Sequence, residues 1–374
     1  MLRYLTSGES HGKSMLTIID GMPAGLYIDK SIIDLELARR MLGYGRGKRM
    51  AIESDKVDIL SGLRNGRTIG SPVSLLVRNV DSSIDKLPKI YEPRPGHADL
   101  CGILKYNLSD IRDVLERASA RETVSRVAVG SVCKIFLAEF GITVVSHVVS
   151  IGAAVSKARN LTFEKIVSSS MKSPVMCADA GASAKMCREI DLAAKAGDTL
   201  GGVFEVLIHG VPPGLGSYAQ WDRRIDALLA RAVMSIQAIK GVDFGIGFGS
   251  AALRGSLVHD EIFYDKKKGF YRKSNNAGGI EGGMTTGEDI IIRAAMKPIS
   301  TLRKPLSSVD IRTKKKIMAA VERSDVCAVP AAAVIGEAVS SIEIANSLIE
   351  KFGGDSVSEM RRNYDGYMAQ IKRF

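Results

Sequence analysis

Apolar residues alternate or cluster in short runs over positions 15–19, 57–60 and 73–77, which predicts three short strands. Over 122–140 the period changes. Val124, Val127, Ala128, Ile135 and Phe136 recur at helical spacing, and Gly141 stands where a glycine just past the last turn stops a helix. Positions 142–151 then read as a β-branched strand. Positions 221–239 repeat the helical plan, with Gly241 after them. Positions 341–352 predict a helix ended by Gly353, and a final helix starts near Asp355, a suitable N-cap. Alternating helices and strands predict an α+β or α/β mixture. No fixed-period repeat and no Pro/Ser-rich linker divides the chain, so a single domain over 1–374 is expected.

Long glycine-rich or charged segments separate these elements, at 39–54, 79–100, 244–255 and 274–289. Such loops in a compact domain are functional or disordered. Disorder is expected for 265–276. The repeated glycines of NNAGGIEGGMTTGED (275–289) instead allow backbone to approach a ligand closely.

Composition narrows the function classes. With 45% hydrophobic but only 6% aromatic residues, the core should be aliphatic. The net charge of +11 admits nucleic acid, an anionic membrane or a small anionic substrate. The lysine runs at 266–268 and 314–316 read as solvated surface. Five cysteines form no CxxC pair, so neither a zinc site nor a disulfide framework is expected, in keeping with a reducing cytoplasm. Glu9, His11 and Lys13 interrupt any N-terminal signal core, and no run approaches the ~18 apolar residues of a membrane span. A soluble, cytoplasmic protein is expected.

The candidate chemistry lies in the loops. His11 in GESHG and His97 in RPGHAD sit among Gly, Pro, Ser, Glu and Asp rather than in an apolar stripe. Histidine is the usual proton donor or acceptor near neutral pH. GESHG matches a nucleophile elbow around Ser10, but an elbow needs a strand before it and a helix after it, and a strand follows here. GESHGKS has one residue too few between its glycines for a P-loop and lacks the helix. GYGRG and GIGFG are not the dinucleotide fingerprint. Arg39, Arg40, Arg46, Lys48 and Arg49 form a basic cluster without an acid and with only Tyr44 as an aromatic. That favours a small, highly anionic ligand over single-stranded nucleic acid. LERASARET (115–123) places Ala118, Ser119 and Ala120 between two arginines, as close backbone packing beside a charged ligand would require. KPIST (297–301) adds a lysine and two hydroxyls, and Arg323, Ser324 and Asp325 precede an apolar run.

Taken in order, GESHG, the Arg40/Arg46 loop, RPGHAD, RASARET, QAIKGV, NNAGGIEGG, KPIST and RSD resemble chorismate synthase. The resemblance runs from Gly8 to about Glu337. It implies an α+β fold, a single-domain β-α-β sandwich of antiparallel sheets flanked by helices, with long functional loops, assembled as a homotetramer. It implies elimination of phosphate from 5-enolpyruvylshikimate 3-phosphate to give chorismate, a 1,4-anti elimination that requires reduced FMN. NADPH, or a separate flavin reductase, would supply the reduced flavin. By the same resemblance His11 is the acid that protonates the departing phosphate and His97 lies beside flavin N1. Asp325 lies near flavin N5, and Ser10 and Ser119 assist by hydrogen bonding. Arg117, Ala118, Ser119, Gln237, Ala238, Gly282, Lys297, Pro298, Ile299, Ser300, Thr301 and Arg323 correspond to FMN-contacting positions, and Arg40 and Arg46 to positions that bind NADP or the anionic groups of the substrate. No metal, nucleic acid or membrane partner is implied. Val114, Leu115 and Glu116 replace three glycines of many relatives, Ala118 replaces a serine, and Ile299 replaces a threonine. The charged, bulkier approach either reshapes the flavin edge or follows another bacterial-type subgroup, and Ile299 removes a side-chain bond there. His11 and His97 are expected to face one cavity, with Asp325 across the flavin from them.

Overall fold

The computed structural model describes residues 1–47, 55–158, 161–267, 269–322 and 324–374. The first sheet contains β1 (Arg3–Ser7), β2 (Ser14–Asp20), β3 (Val57–Ser61) and β6 (Val73–Arg78), in the order β1-β2-β6-β3; β4 (Leu63–Arg64) and β5 (Arg67–Thr68) form a small hairpin beside it. The second contains β7 (Thr143–Ile151), β8 (Ala154–Val155), β9 (Gly202–His209), β10 (Ile239–Phe244) and β15 (Ile290–Met296), in the order β10-β15-β9-β7-β8. Every pairing in both sheets is antiparallel. Three further hairpins join β11 (Ile262–Asp265) to β12 (Gly269–Arg272), β13 (Ile280–Glu281) to β14 (Met284–Thr285), and β16 (Ser307–Val309) to β17 (Lys316–Met318). The helices are α1 (Lys30–Met41), α2 (Asp99–Tyr106), α3 (Ile111–Ala118), α4 (Thr123–Ala138), α5 (Phe163–Ser170), α6 (Ala180–Ala196), α7 (Ile225–Met234), α8 (Gly255–Val258), α9 (Val329–Phe352) and α10 (Val357–Arg373). The chain is therefore α+β.

Period-two burial explains the strands. In β2 and β6, Met15, Thr17, Ile19, Val73, Leu75 and Val77 are buried, and α4 packs on this sheet. In the second sheet, α9 packs on β7 and β9, and α4 packs on α9. Small residues let those helices close up. A Cβ on Gly130 of α4 would stand 2.4 Å from Ala338 Cα, and one on Gly336 would stand 2.7 Å from the Phe204 ring. One core runs from Leu2 to Met360.

Four expectations change. First, α9 begins at Val329, well before position 341, with Pro330 in its first turn, where a missing N–H is harmless. Its first half lacks a helical period because it is enclosed by α1, α4, α7, β7 and β9, and a helix buried on all sides is apolar on all sides. Second, α9 is long and apolar enough to cross a membrane by length and composition, which the search for apolar runs missed. The protein itself buries 89% of that window, so it is a core helix. Third, α7 is shorter than expected. Ala238 takes a left-handed φ of 67° and turns the chain into β10. Fourth, part of the segment expected to be disordered forms β12, which pairs with β11 through the aromatic cross-strand pairs Phe263–Tyr271 and Tyr264–Phe270.

Candidate active site

GESHG is the turn between β1 and β2. The start of β2 orients it, and α3 and the long loop before α2 clamp it from outside. Asn79 donates to Glu9 O (3.0 Å) and Gly12 O (2.7 Å), and Ile84 N donates to His11 O (3.0 Å). From α3, Arg117 donates to Gly8 O (2.9 Å) and Thr6 O (3.0 Å). Ser10 N donates to Glu116 O (3.0 Å). The Ser119 hydroxyl, at the start of the next turn, donates to Ser10 Oγ at 3.2 Å. His11 Nδ1 lies 2.9 and 3.0 Å from the two oxygens of Glu116. Ser10, His11, Arg117 and Ser119 thus come together, as the resemblance implies.

RPGHAD forms a second centre. Asp99, fully buried at the start of α2, accepts from Arg94 N (3.0 Å), Nε (2.8 Å) and Nη2 (3.0 Å), and pairs with His97 Nδ1. Burial works against the Asp99 charge, but the bonds from His97 and Arg94 outweigh it and hold this carboxyl well below the usual carboxylate range. KPIST packs against the same turn. Arg94 Nη1 donates to Thr301 Oγ1 at 2.9 Å, Lys297 Nζ donates to Gly96 O at 2.5 Å, and Ser300 lies beside Gly96. Ile299 contributes its carbonyl, which accepts from Thr199 Oγ1 at 2.7 Å, so the missing threonine hydroxyl is not needed for that bond. Lys297 N donates to Ala238 O at 2.9 Å, which brings Pro298 and its neighbours to the left-handed Ala238. The preceding Gln237 donates to Glu122 at 3.3 Å, while its Oε1 is buried without a hydrogen-bond partner among the described residues.

The basic cluster divides. Arg40 and Arg121 each reach Asp55 at 2.7 Å, so one carboxylate serves two buried guanidinium groups. Burial, reinforced by Arg121 and Arg46, outweighs Asp55 and pushes Arg40 down to about 10. Arg40 stays charged at neutral pH, and its Nε is buried without a hydrogen-bond partner among the described residues. Arg46 pairs with Asp325 at 2.7 Å, and Asp325 also accepts from Gly47 N at 2.7 Å. Arg39 departs from the expectation. One position along α1 from Arg40, it points elsewhere on the helix and joins Glu36 and Glu337 in the core. Lys48, Arg49 and Arg323 lie outside the described residues.

Gly282 lies in the turn of β13–β14, with φ of 58° and open space where a Cβ would be. Two cavities, of about 270 and 300 Å³, lie elsewhere, beside Arg39 and Lys134 and beside Tyr4 and Arg231. Neither is lined by His11, His97 or Asp325. Residues given no site role by the sequence hold the site: Asp99, Arg94, Glu116, Asn79, Asp55 and Arg121. Asp99 was legible as an acid two positions after His97. Glu116 was visible only as a departure, because its partner is 105 positions away.

Histidines tethered by buried carboxylates, beside buried arginines, are the arrangement of an enzyme site suited to proton transfer and to an anionic small molecule. The family follows from comparison with known proteins. The chorismate synthase family model matches residues 2–349, and the chain belongs to that family. It is 56% identical to the chorismate synthase of Geobacter metallireducens and 54% identical to that of Thermoanaerobacter pseudethanolicus, each over the full length of both chains. A crystal structure of chorismate synthase superposes with a TM-score of 0.83 at 43% identity, covering 100% of this chain and 99% of that one. The chain is accordingly a carbon–oxygen lyase.

Proposed function

We propose that the protein carries out the 1,4-anti elimination of phosphate from 5-enolpyruvylshikimate 3-phosphate, giving chorismate, with reduced FMN as its cofactor. The observation that carries this is the junction of GESHG with LERASARET and of RPGHAD with KPIST, in a chain matched end to end by chorismate synthases. FMN, when bound, supplies the electron that makes loss of a non-acidic C6 hydrogen feasible. The residues present suit such a group. The orphaned Gln237 Oε1 offers an acceptor, the 118–119 and 237–238 backbones offer close approach, and Lys297 offers a cation. Arg117, Gly282, Pro298, Ile299, Ser300 and Thr301 are assigned to the same cofactor surface, as is Arg323.

His11 gives the proton to the departing phosphate, with Ser10 and Ser119 hydrogen bonding beside it. His97, held by Asp99 and Arg94, would stabilise negative charge on the bound flavin, and Asp325 would serve as a carboxylate beside it. Arg40 and Arg46 receive the substrate's phosphate and carboxylates or NADP. An anion arriving at Arg46 competes with Asp325 for the same guanidinium, so ligand binding also frees that carboxylate. The main core from Leu2 to Met360, with a small second cluster around Ile103 and Ile111, supports one catalytic domain in layers of sheet, helices and sheet. The resemblance to the family implies a homotetramer acting in the cytoplasm. Oxidation of NADPH by the purified chain with FMN separates self-reduction of the flavin from reliance on a separate reductase.

The test is anaerobic turnover of the variants. His11→Ala and His97→Ala each slow turnover by roughly 10–10⁴-fold, as loss of a general acid or a charge stabiliser does. Asp325→Asn retains FMN but eliminates slowly. Wild-type turnover in either histidine variant removes that residue from the reaction.

A further inference from the structure

We infer that Glu116 is the positioning residue of His11, making the pair a single proton-donating unit at the phosphate end of the site. This rests on the assignment of His11 as the acid. Glu116 sits in the last turn of α3 and is 3% exposed. Both its oxygens lie within 3.0 Å of His11 Nδ1, and Oε2 also accepts from the His11 backbone N–H at 2.8 Å. Its own carbonyl accepts from Ser10 N. One residue therefore fixes both the ring and the backbone of GESHG. Arg112, one turn earlier, stands 3.8 Å from Oε1 and compensates the buried charge.

An ionised carboxylate only accepts hydrogen bonds, so Nδ1 carries a proton and Nε2 is the nitrogen that exchanges one. The carboxylate at Nδ1 fixes the ring so that Nε2 faces away from Glu116. As the substrate C–O bond breaks, the electron pair leaves with phosphate and the Nε2 proton moves to a phosphate oxygen. The Nδ1 proton stays with Glu116, and Nε2 is reprotonated from solvent. A simple brace for the loop would not need this arrangement, because Arg117 already ties Gly8 and Thr6.

Glu116→Gln tests the inference, with Glu116→Asp as the conservative variant and His11→Ala as the reference. All are assayed as holoenzyme with reduced FMN and enolpyruvylshikimate phosphate. Glutamine has one carbonyl oxygen for two donors. If that oxygen accepts the His11 backbone N–H, the amide NH₂ faces Nδ1 and imposes the opposite ring tautomer. The expected result is a fall in kcat of about 10- to 100-fold, a part of what a general acid contributes, with KM nearly unchanged. The ring ¹⁵N signals report loss of the Nδ1 proton, and Glu116→Asp recovers part of the rate. If Glu116→Gln keeps the wild-type kcat, or loses rate with the ring tautomer unchanged, while His11→Ala is impaired, positioning by Glu116 is overturned. Wild-type turnover in His11→Ala overturns the acid assignment itself, and the inference with it.

Discussion

Replacing Asp99 with asparagine removes one charge from a site with no solvent exposure. Four donors converge on that carboxylate: the Arg94 backbone N–H, Arg94 Nε, Arg94 Nη2 and His97 Nδ1. An asparagine carbonyl can serve two of them, while its NH₂ confronts the others. Arg94 is only 7% exposed, so its charge is left nearly buried with Thr301 and the His97 ring as neighbours. Breaking a buried ion pair from one side costs about 3–5 kcal/mol, and the retained bonds place this case near the lower figure. The effect depends on pH in a defined direction. The Asp99 carboxyl is depressed in the folded state, so its contribution is present above the ordinary carboxylate range and is lost as pH falls below that range. Asp99→Asn should therefore lower stability by about 3 kcal/mol at pH 7 in equilibrium urea unfolding, and the gap to wild type should shrink as pH drops below about 4. Turnover should fall as well, because the same bonds aim His97 and seat Thr301 and Lys297. A loss under about 0.5 kcal/mol, the size of an ordinary surface change, or a gap that does not change with pH, would refute the reasoning.

Glu337, buried between Arg39, Lys134 and Ser146, is held down to about 2 by Lys134 and Arg39 against the effect of its burial. Its contribution is lost between about pH 4.5 and 2, and Glu337→Gln should cost about 3 kcal/mol at pH 7 in urea unfolding, since Glu36 retains both cations. Gly130→Ala puts a methyl 2.4 Å from Ala338 Cα and should destabilise by about 1–3 kcal/mol or more in thermal unfolding, because backbone rather than a flexible side chain must move. Thr199→Val removes the 2.7 Å bond to the Ile299 carbonyl and should cost about 1 kcal/mol, with weaker FMN binding by fluorescence titration.

The strands were legible because their burial alternates at period two: 15–19, 57–60 and 73–77 lie within β2, β3 and β6. α4 was legible because only one side of its helical stripe departs from the core pattern, and Gly141, with φ of 75°, ends it as its type predicts. The first half of α9 was hidden because full enclosure erases periodicity. In the site, the short motifs marked His11 and His97 as candidate proton carriers, since both stand in polar loops that no core demands. Their partners were legible only when close in sequence. Asp99 is two positions from His97, whereas Glu116 for His11 and Asp325 for Arg46 are joined only by the fold. The division of Arg39 from Arg40 follows from helix geometry once α1 is known, and the run 30–41 was not read as a helix.

The central claim is met most directly by mixing the purified chain anaerobically with reduced FMN and 5-enolpyruvylshikimate 3-phosphate, and measuring chorismate and inorganic phosphate together. The predicted result is equal amounts of both products on repeated turnover, with none when the flavin is oxidised. Release of neither product with reduced flavin, or release of phosphate without chorismate, would contradict the account.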